Sequence, residues 1–146
     1  MKIQEQDFYH GVALTQIVEH GSFTALNKAS QRYGHYLVNA DRRMFVKYRT
    51  NEGTDFQFSF SAAELAGLAS DLALPNAHVF TALVCGGETV CLLDSEQIET
   101  VIDPTNNQSQ WIRVWWPEGG GMRVVGSVGE LSTVLPHNSF PSRLFT

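Results

Sequence analysis

The sequence predicts an α/β (α+β) fold: a mixed sheet flanked by helices, with a Trp-rich β-hairpin towards the C-terminal end. Three observations carry that expectation. Met44, Val46 and Tyr48 alternate with Phe45, Lys47 and Arg49, and Phe56, Phe58 and Phe60 alternate with Gln57, Ser59 and Ser61, the period of two of half-buried strands. Ser61 with Glu64 three residues on forms a capping box before Leu65, Leu68, Ala69 and Leu72 at helical spacing. HVFTALVC is a nearly unbroken apolar run, the pattern of a central strand covered on both faces.

The elements follow in order. Residues 7–20 predict a first helix, with Asp7 as N-cap and Gly21 past its end. At 100° per residue Phe8, Tyr9, Val12, Ala13, Leu14, Ile17 and Val18 cover most of its circumference, the pattern of a helix buried between layers. His10, Glu19 and His20 are polar residues at its ends. Residues 22–34 read as a connecting loop. HYLVNADRRMFVKYRT (35–50) reads as a β-hairpin, and DFQFSF is expected to pair against it after the TNEG turn.

After the second helix, Leu74-Pro75-Asn76 is a stop. Gly86-Gly87 is a tight turn out of the apolar strand into TVCLL. Asp94 and Gln97 predict the cap of a short third helix carrying Ile98, Val101 and Ile102, ended by Asp103-Pro104. From Thr105 a polar linker leads into WIRVWWP, three glycines and MRVVGS, a second hairpin, and then an irregular tail. The expected division is a core over 1–104, with 105–146 packed on it, in one domain overall.

The 146 residues suffice for one substantial core, and 43% hydrophobic with 17% charged residues is the balance of a globular chain, not a disordered one. No apolar run is long enough to cross a membrane, and the start MKIQEQDF is not a signal peptide, so a cytoplasmic protein without a membrane partner is expected. Cys85 and Cys91 lack a second metal-ligand pair and read as free, buried thiols. The net charge of −5 counts against a general nucleic-acid binder. Yet six of the ten basic residues fall between Lys28 and Arg49, against Asp41 alone, so the hairpin carries a local positive patch. Arg42, Arg43, Lys47 and Arg49 read either as a solvated strand face or as a strip that contacts phosphates.

The order helix, hairpin, strand, helix, strand over roughly residues 7–103 resembles the αβββαβ core of the PD-(D/E)XK nuclease-like superfamily. That resemblance implies carboxylates on adjacent strands holding a divalent cation, with a lysine steadying the transition-state charge. Carried onto this sequence, it makes Asp41 the opening carboxylate, Lys47 the motif lysine and Glu19 the helix glutamate. Phe45 stands where the second strand acid belongs, or Gln57 and Ser59 do if the Phe-rich strand is aligned instead. The implied site is degenerate, and no cofactor is expected except Mg²⁺ on the nuclease reading.

Other chemistry has less to stand on. Neither GGET nor EGGGM has the spacing or lysine of a phosphate-binding loop, and no Gly-x-Ser-x-Gly elbow occurs. His10 and His20 are about 280° apart round a helix and do not face one ligand. His137 has no acid nearby in the sequence. Two classes of function follow. One is a nucleic-acid-associated domain on a degenerate or weakly active nuclease-like scaffold, binding DNA or RNA through the basic hairpin. The other is a non-enzymatic protein-interaction or assembly module, with a protein partner or a second copy bound through Trp111, Trp115 and Trp116.

Overall fold

The computed structural model describes residues 1–146. The chain runs through α1 (Glu5–Val18), β1 (Leu26–Lys28), β2 (His35–Val38), β3 (Arg42–Arg49), β4 (Asp55–Phe60), α2 (Ala62–Leu72), β5 (His78–Cys85), β6 (Thr89–Asp94), α3 (Ser95–Val101), β7 (Gln110–Trp115) and β8 (Arg123–Gly126). Two short 3₁₀ turns, His137–Ser139 and Ser142–Phe145, close the tail. None of the helices is long and apolar enough to cross a membrane.

The fold is α+β with two sheets. The larger has the order β1-β2-β3-β5-β6 and is antiparallel except for the parallel pair β3–β5; the smaller, β4-β7-β8, is antiparallel. Seven of the eight residues of β5 are buried, as its apolar run requires. On one face of the large sheet Met44, Val46, Ala82, Val84 and Leu92 meet Ala13 and Ile17 of α1, together with Phe140 and Leu144 of the tail. On the other, Val79, Leu83, Cys91 and Leu93 meet α2, α3 and the small sheet. Cys85 and Cys91 are free and buried, and desolvation pushes the Cys91 thiol up to about 12.

The expected partner of β4 is wrong. β4 does not add to the hairpin of β2 and β3; it pairs with β7, Phe58 opposite Ile112. The reason is topological. Parallel strands need a crossover, and residues 50–77 supply it between β3 and β5, lifting β4 and α2 onto one face of the large sheet. The alternation nevertheless acts as predicted: Phe56, Phe58 and Phe60 are buried, and Gln57 and Ser59 are exposed. β7 and β8 thus extend a sheet begun by β4, and Ile112, Val114 and Val124 share its core.

α1 differs in two ways. It begins at Glu5, two residues early, and Asp7 accepts a hydrogen bond from the Gln4 amide (2.8 Å) instead of being the cap itself. Nor is it buried all round. His10, Ala13 and Ile17 are covered, whereas Phe8, Val12 and Val18 are exposed, because only one layer packs on this helix. Residues 22–34 include β1, which pairs with β2. The capping boxes at Ser61–Glu64 and Asp94–Gln97 form as expected.

His10 is a buried histidine, not the partly exposed helix-end residue its position suggests. Its ring contacts those of Tyr33 (centroids 4.7 Å apart) and Tyr48 (5.8 Å), and its Nδ1 has no hydrogen-bond partner. Gly34, at φ +85°, lies so close that a Cβ there would come 2.8 Å from His10 Cε1 and 3.0 Å from the Val46 carbonyl, so only glycine fits.

Phe58→Ala is expected to cost about 3–5 kcal/mol of unfolding free energy and Gln57→Ala under about 0.5. Urea unfolding checks both, and equal losses would mean that the two faces of β4 are misassigned. Burial lowers the His10 pKa, against a smaller opposing effect of Asp7. The unfolded chain therefore binds the proton more tightly than the folded one. The stability held by neutral His10 is complete above about pH 6.5 and falls as pH drops below it towards the lowered folded value. Urea midpoints between pH 7.5 and 5.5 should fall less in His10→Phe than in the wild type.

Candidate functional site

The basic residues of the hairpin divide between the two faces of β3. Arg42 leans with Met44 and Val46 towards α1 and the tail, where its Nε donates to the Leu144 carbonyl (2.6 Å) and its Nη1 to Asp41 (2.6 Å). Arg43, Phe45 and Lys47 point to the opposite side. Arg43 Nε stands 2.9 Å from Asp71 Oδ1 without the alignment of a directed hydrogen bond, and its Nη2 reaches the Ala29 carbonyl (3.4 Å). Lys47 pairs with Glu64 of α2 and lies over the Phe60 ring, 4.9 Å from its centroid. Burial pushes the Glu64 carboxyl up, but hydrogen bonds from Lys47 and Ser61 outweigh it and hold it below the usual range. Of the four cations, Arg49 alone is exposed and makes no ion pair.

Glu19, Asp41 and Lys47 do not share a cleft. Glu19 caps the exposed end of α1, on the face of the sheet away from Lys47. Asp41 sits in the β2–β3 turn, bound to Arg42 and 3.9 Å from His78 Nε2. Six residues of extended chain, about 20 Å, separate it from Lys47. No three His, Cys, Asp or Glu side chains come together in an arrangement that could hold a metal ion. Lys47 instead lines a cleft of about 310 Å³ with Arg32, Tyr33, Phe45, Phe60 and Glu64.

The tryptophans part company. Trp116 is buried, stacked on Phe56 with centroids 5.7 Å apart, and the exposed His137 meets it edge-on. Trp111 and Trp115 alternate with buried Ile112 and Val114, so both stand half-exposed on the solvent side of the small sheet. Arg113 lies between them, and Arg123 of β8 is opposite Trp115. Both guanidinium groups lie over the Trp115 ring, at 5.3 and 5.5 Å. Arg113 is held by Asp55 through paired bonds of 2.8 and 2.7 Å, which lower the Asp55 pKa. Arg123 has no carboxylate partner; its Nη1 donates to the Gly121 carbonyl (3.2 Å). Gln57, Val125 and the exposed carboxylate of Glu130, which makes no ion pair with either arginine, complete the face.

Comparison with family models, with curated proteins and with solved structures finds no match for the chain. Arg113 and Arg123 were within reach of sequence reasoning: the alternation that turns Ile112 and Val114 inward turns Trp111, Arg113 and Trp115 outward together. The partnership of Arg43 with Asp71 gave no local signal, since the two lie on different elements.

Arg43→Met is expected to cost about 3 kcal/mol, because a nearly buried carboxylate loses the cation beside it. Arg49→Ala, at an exposed and unpaired residue, should cost under about 0.5. Chemical denaturation of the two variants checks this, and a loss below about 1 kcal/mol for Arg43→Met would mean that Asp71 does not depend on it.

Proposed function

We propose that this protein is a protein-interaction module whose contact surface is the solvent face of the β4-β7-β8 sheet. The observation that carries this reading is the pair Trp111 and Trp115, held half-exposed on a regular sheet with Arg113 and Arg123 between and beside them. Tryptophan and arginine are the residues most enriched among those that dominate binding energy at protein interfaces. Part of the face is arranged before any partner arrives: Trp115 lies against two guanidinium groups, and Asp55 holds Arg113. Little conformational entropy is then lost on binding. The partner chemistry that suits the face is an apolar side chain against the indoles and a carboxylate for Arg123, the cation with no acid of its own.

The nucleic-acid reading has weaker support. Three of the four hairpin cations already hold carboxylates, so contact with phosphates would mean breaking existing pairs. The small sheet balances Arg113 with Asp55, and the whole chain is acidic.

The test compares the wild type with a Trp111→Ala, Trp115→Ala double variant and with Arg123→Ala. Proteins retained by the immobilised wild type from the source organism's extract should bind each variant at least about tenfold more weakly when purified. Partners held equally by all three proteins would sink this reading. So would tryptophan-dependent binding of fluorescent single-stranded DNA or RNA that weakens steeply with salt, which would restore the nucleic-acid alternative.

A further inference from the structure

We propose that Ser30, His35 and Asp71 form a nucleophile, base and carboxylate that hydrolyse an acyl ester, a second activity independent of the sheet face. Ser30 Oγ lies 2.8 Å from His35 Nδ1, and His35 Nε2 lies 2.6 Å from Asp71 Oδ2. Ser30 is exposed, while His35 and Asp71 are 5% and 3% exposed. The reacting oxygen is therefore open to substrate, and the groups behind it are sheltered from water.

The hydrogen bonds fix the direction of proton flow. An ionised carboxylate only accepts, so Nε2 carries its proton towards Asp71 and leaves Nδ1 of the neutral ring as an acceptor. Ser30 Oγ already accepts from the Arg32 amide (3.2 Å), and its own proton is free to point at Nδ1. That is the hydrogen-bond order of a serine triad, with the two ring nitrogens exchanged relative to the usual one. The Phe45 ring, stacked on His35 with centroids 3.9 Å apart and planes within 6°, holds the imidazole in position. Arg43, 2.9 Å from Asp71 Oδ1, occupies that oxygen and leaves Oδ2 to the ring. Asp71 and Arg43 are positioning residues; Ser30 and His35 are the catalytic ones.

In the reaction the Ser30 Oγ–carbonyl carbon bond forms as the Oγ proton passes to His35 Nδ1. The bond from carbon to the leaving alcohol then breaks, and Nδ1 returns the proton to that alcohol. A water molecule repeats the sequence on the acyl-serine, releasing a carboxylic acid and restoring Ser30. The Gln31 amide, one residue past the nucleophile, makes no hydrogen bond within the protein and is a donor available to the oxyanion. The cleft lined by Arg32, Tyr33, Phe45 and Phe60 shares Phe45 with the His35 stack. Ser30 stands beside this cleft, two residues before Arg32, and not in its lining. The aromatic walls suit an apolar acyl group, and Lys47 and Glu64 hold each other. Arg32, which donates to the Ala63 carbonyl (3.3 Å), pairs with no acid and suits an anionic substituent.

The test uses the full chain and a fluorophosphonate probe, which phosphonylates an activated serine with loss of fluoride. Peptide mass spectrometry of the wild type should place the adduct on Ser30. Labelling should fall at least about tenfold in Ser30→Ala and in His35→Gln, and stay unchanged in Ser139→Ala. Asp71→Asn should lower the first-order labelling rate constant at saturating probe while the final extent stays near one adduct per chain, whereas loss of folded protein would lower the extent and leave the rate constant unchanged. p-Nitrophenyl acetate should be turned over by the wild type with release of p-nitrophenolate, and Ser30→Ala should lose that turnover. Ser30 is exposed, so Ser30→Ala folds whatever becomes of the buried variants. No adduct on wild-type Ser30 under excess probe, or labelling that Ser30→Ala leaves intact, overturns the proposal.

Discussion

The structure depends on covering β5 from both sides. HVFTALVC has no polar face, so each side of the large sheet must carry its own apolar layer. α1 and the C-terminal tail supply one, with Ile17, Phe140 and Leu144; α2, α3 and the small sheet supply the other. Neither layer is complete from a single stretch of chain. The tail is fastened by Arg143, which donates to the Leu92 carbonyl (2.7 Å) and to Asp94 and Gln97 at the start of α3. The small sheet is fastened where Gly126 passes α3 so closely that a Cβ would come 2.2 Å from the Val101 carbonyl. The last 40 or so residues thus close both cores at once.

That arrangement governs the charges as well. A strand that contacts helices on both faces cannot present its cations as one exposed strip. The crossover from β3 to β5 sets α2 over the odd-numbered residues of β3, and Glu64 and Asp71 on that helix meet Lys47 and Arg43. The even-numbered Arg42 is met instead by Asp41 and the end of the tail. The local basic density of the sequence is neutralised by acids brought from elsewhere. What stays exposed and patterned is the outer side of the small sheet, where aromatic and cationic side chains share one face.

Local signals in the sequence were legible and distant pairings were not. The boxes at Ser61–Glu64 and Asp94–Gln97, the inward Phe56, Phe58 and Phe60, and the buried β5 each rest on neighbours within a few residues, and each forms as read. The partner of β4 lies 50 to 60 residues away in β7, and alternation says which face is buried without saying which strand is adjacent. α1 failed for a related reason. Its apolar residues run round the helix, but how many layers cover it depends on where the tail and β3 fall, and only one side is covered. On the candidate site, Trp111 and Trp115 were legible as a concentration of aromatic surface. Their separation from Trp116 follows from the alternation that turns Ile112 and Val114 inward, but the packing of Trp116 on Phe56 rests on the distant pairing of β7 with β4.

The cluster around His35 was the least legible feature, and it draws on the most distant parts of the chain. Ser30 lies in the loop after β1, His35 opens β2, Arg43 is on β3 and Asp71 is near the end of α2. No spacing within one element brings them together; the crossover does, by laying α2 over β3 and the adjoining strand β2. Burial raises the stakes of that meeting. Asp71, almost wholly covered, would be costly to keep ionised without His35 and Arg43, and each of its oxygens has one of them within 3 Å. The other ring nitrogen of His35 needs a partner of its own, and Ser30 supplies it, carrying the chain of hydrogen bonds from a sheltered carboxylate through a fixed imidazole to an exposed hydroxyl.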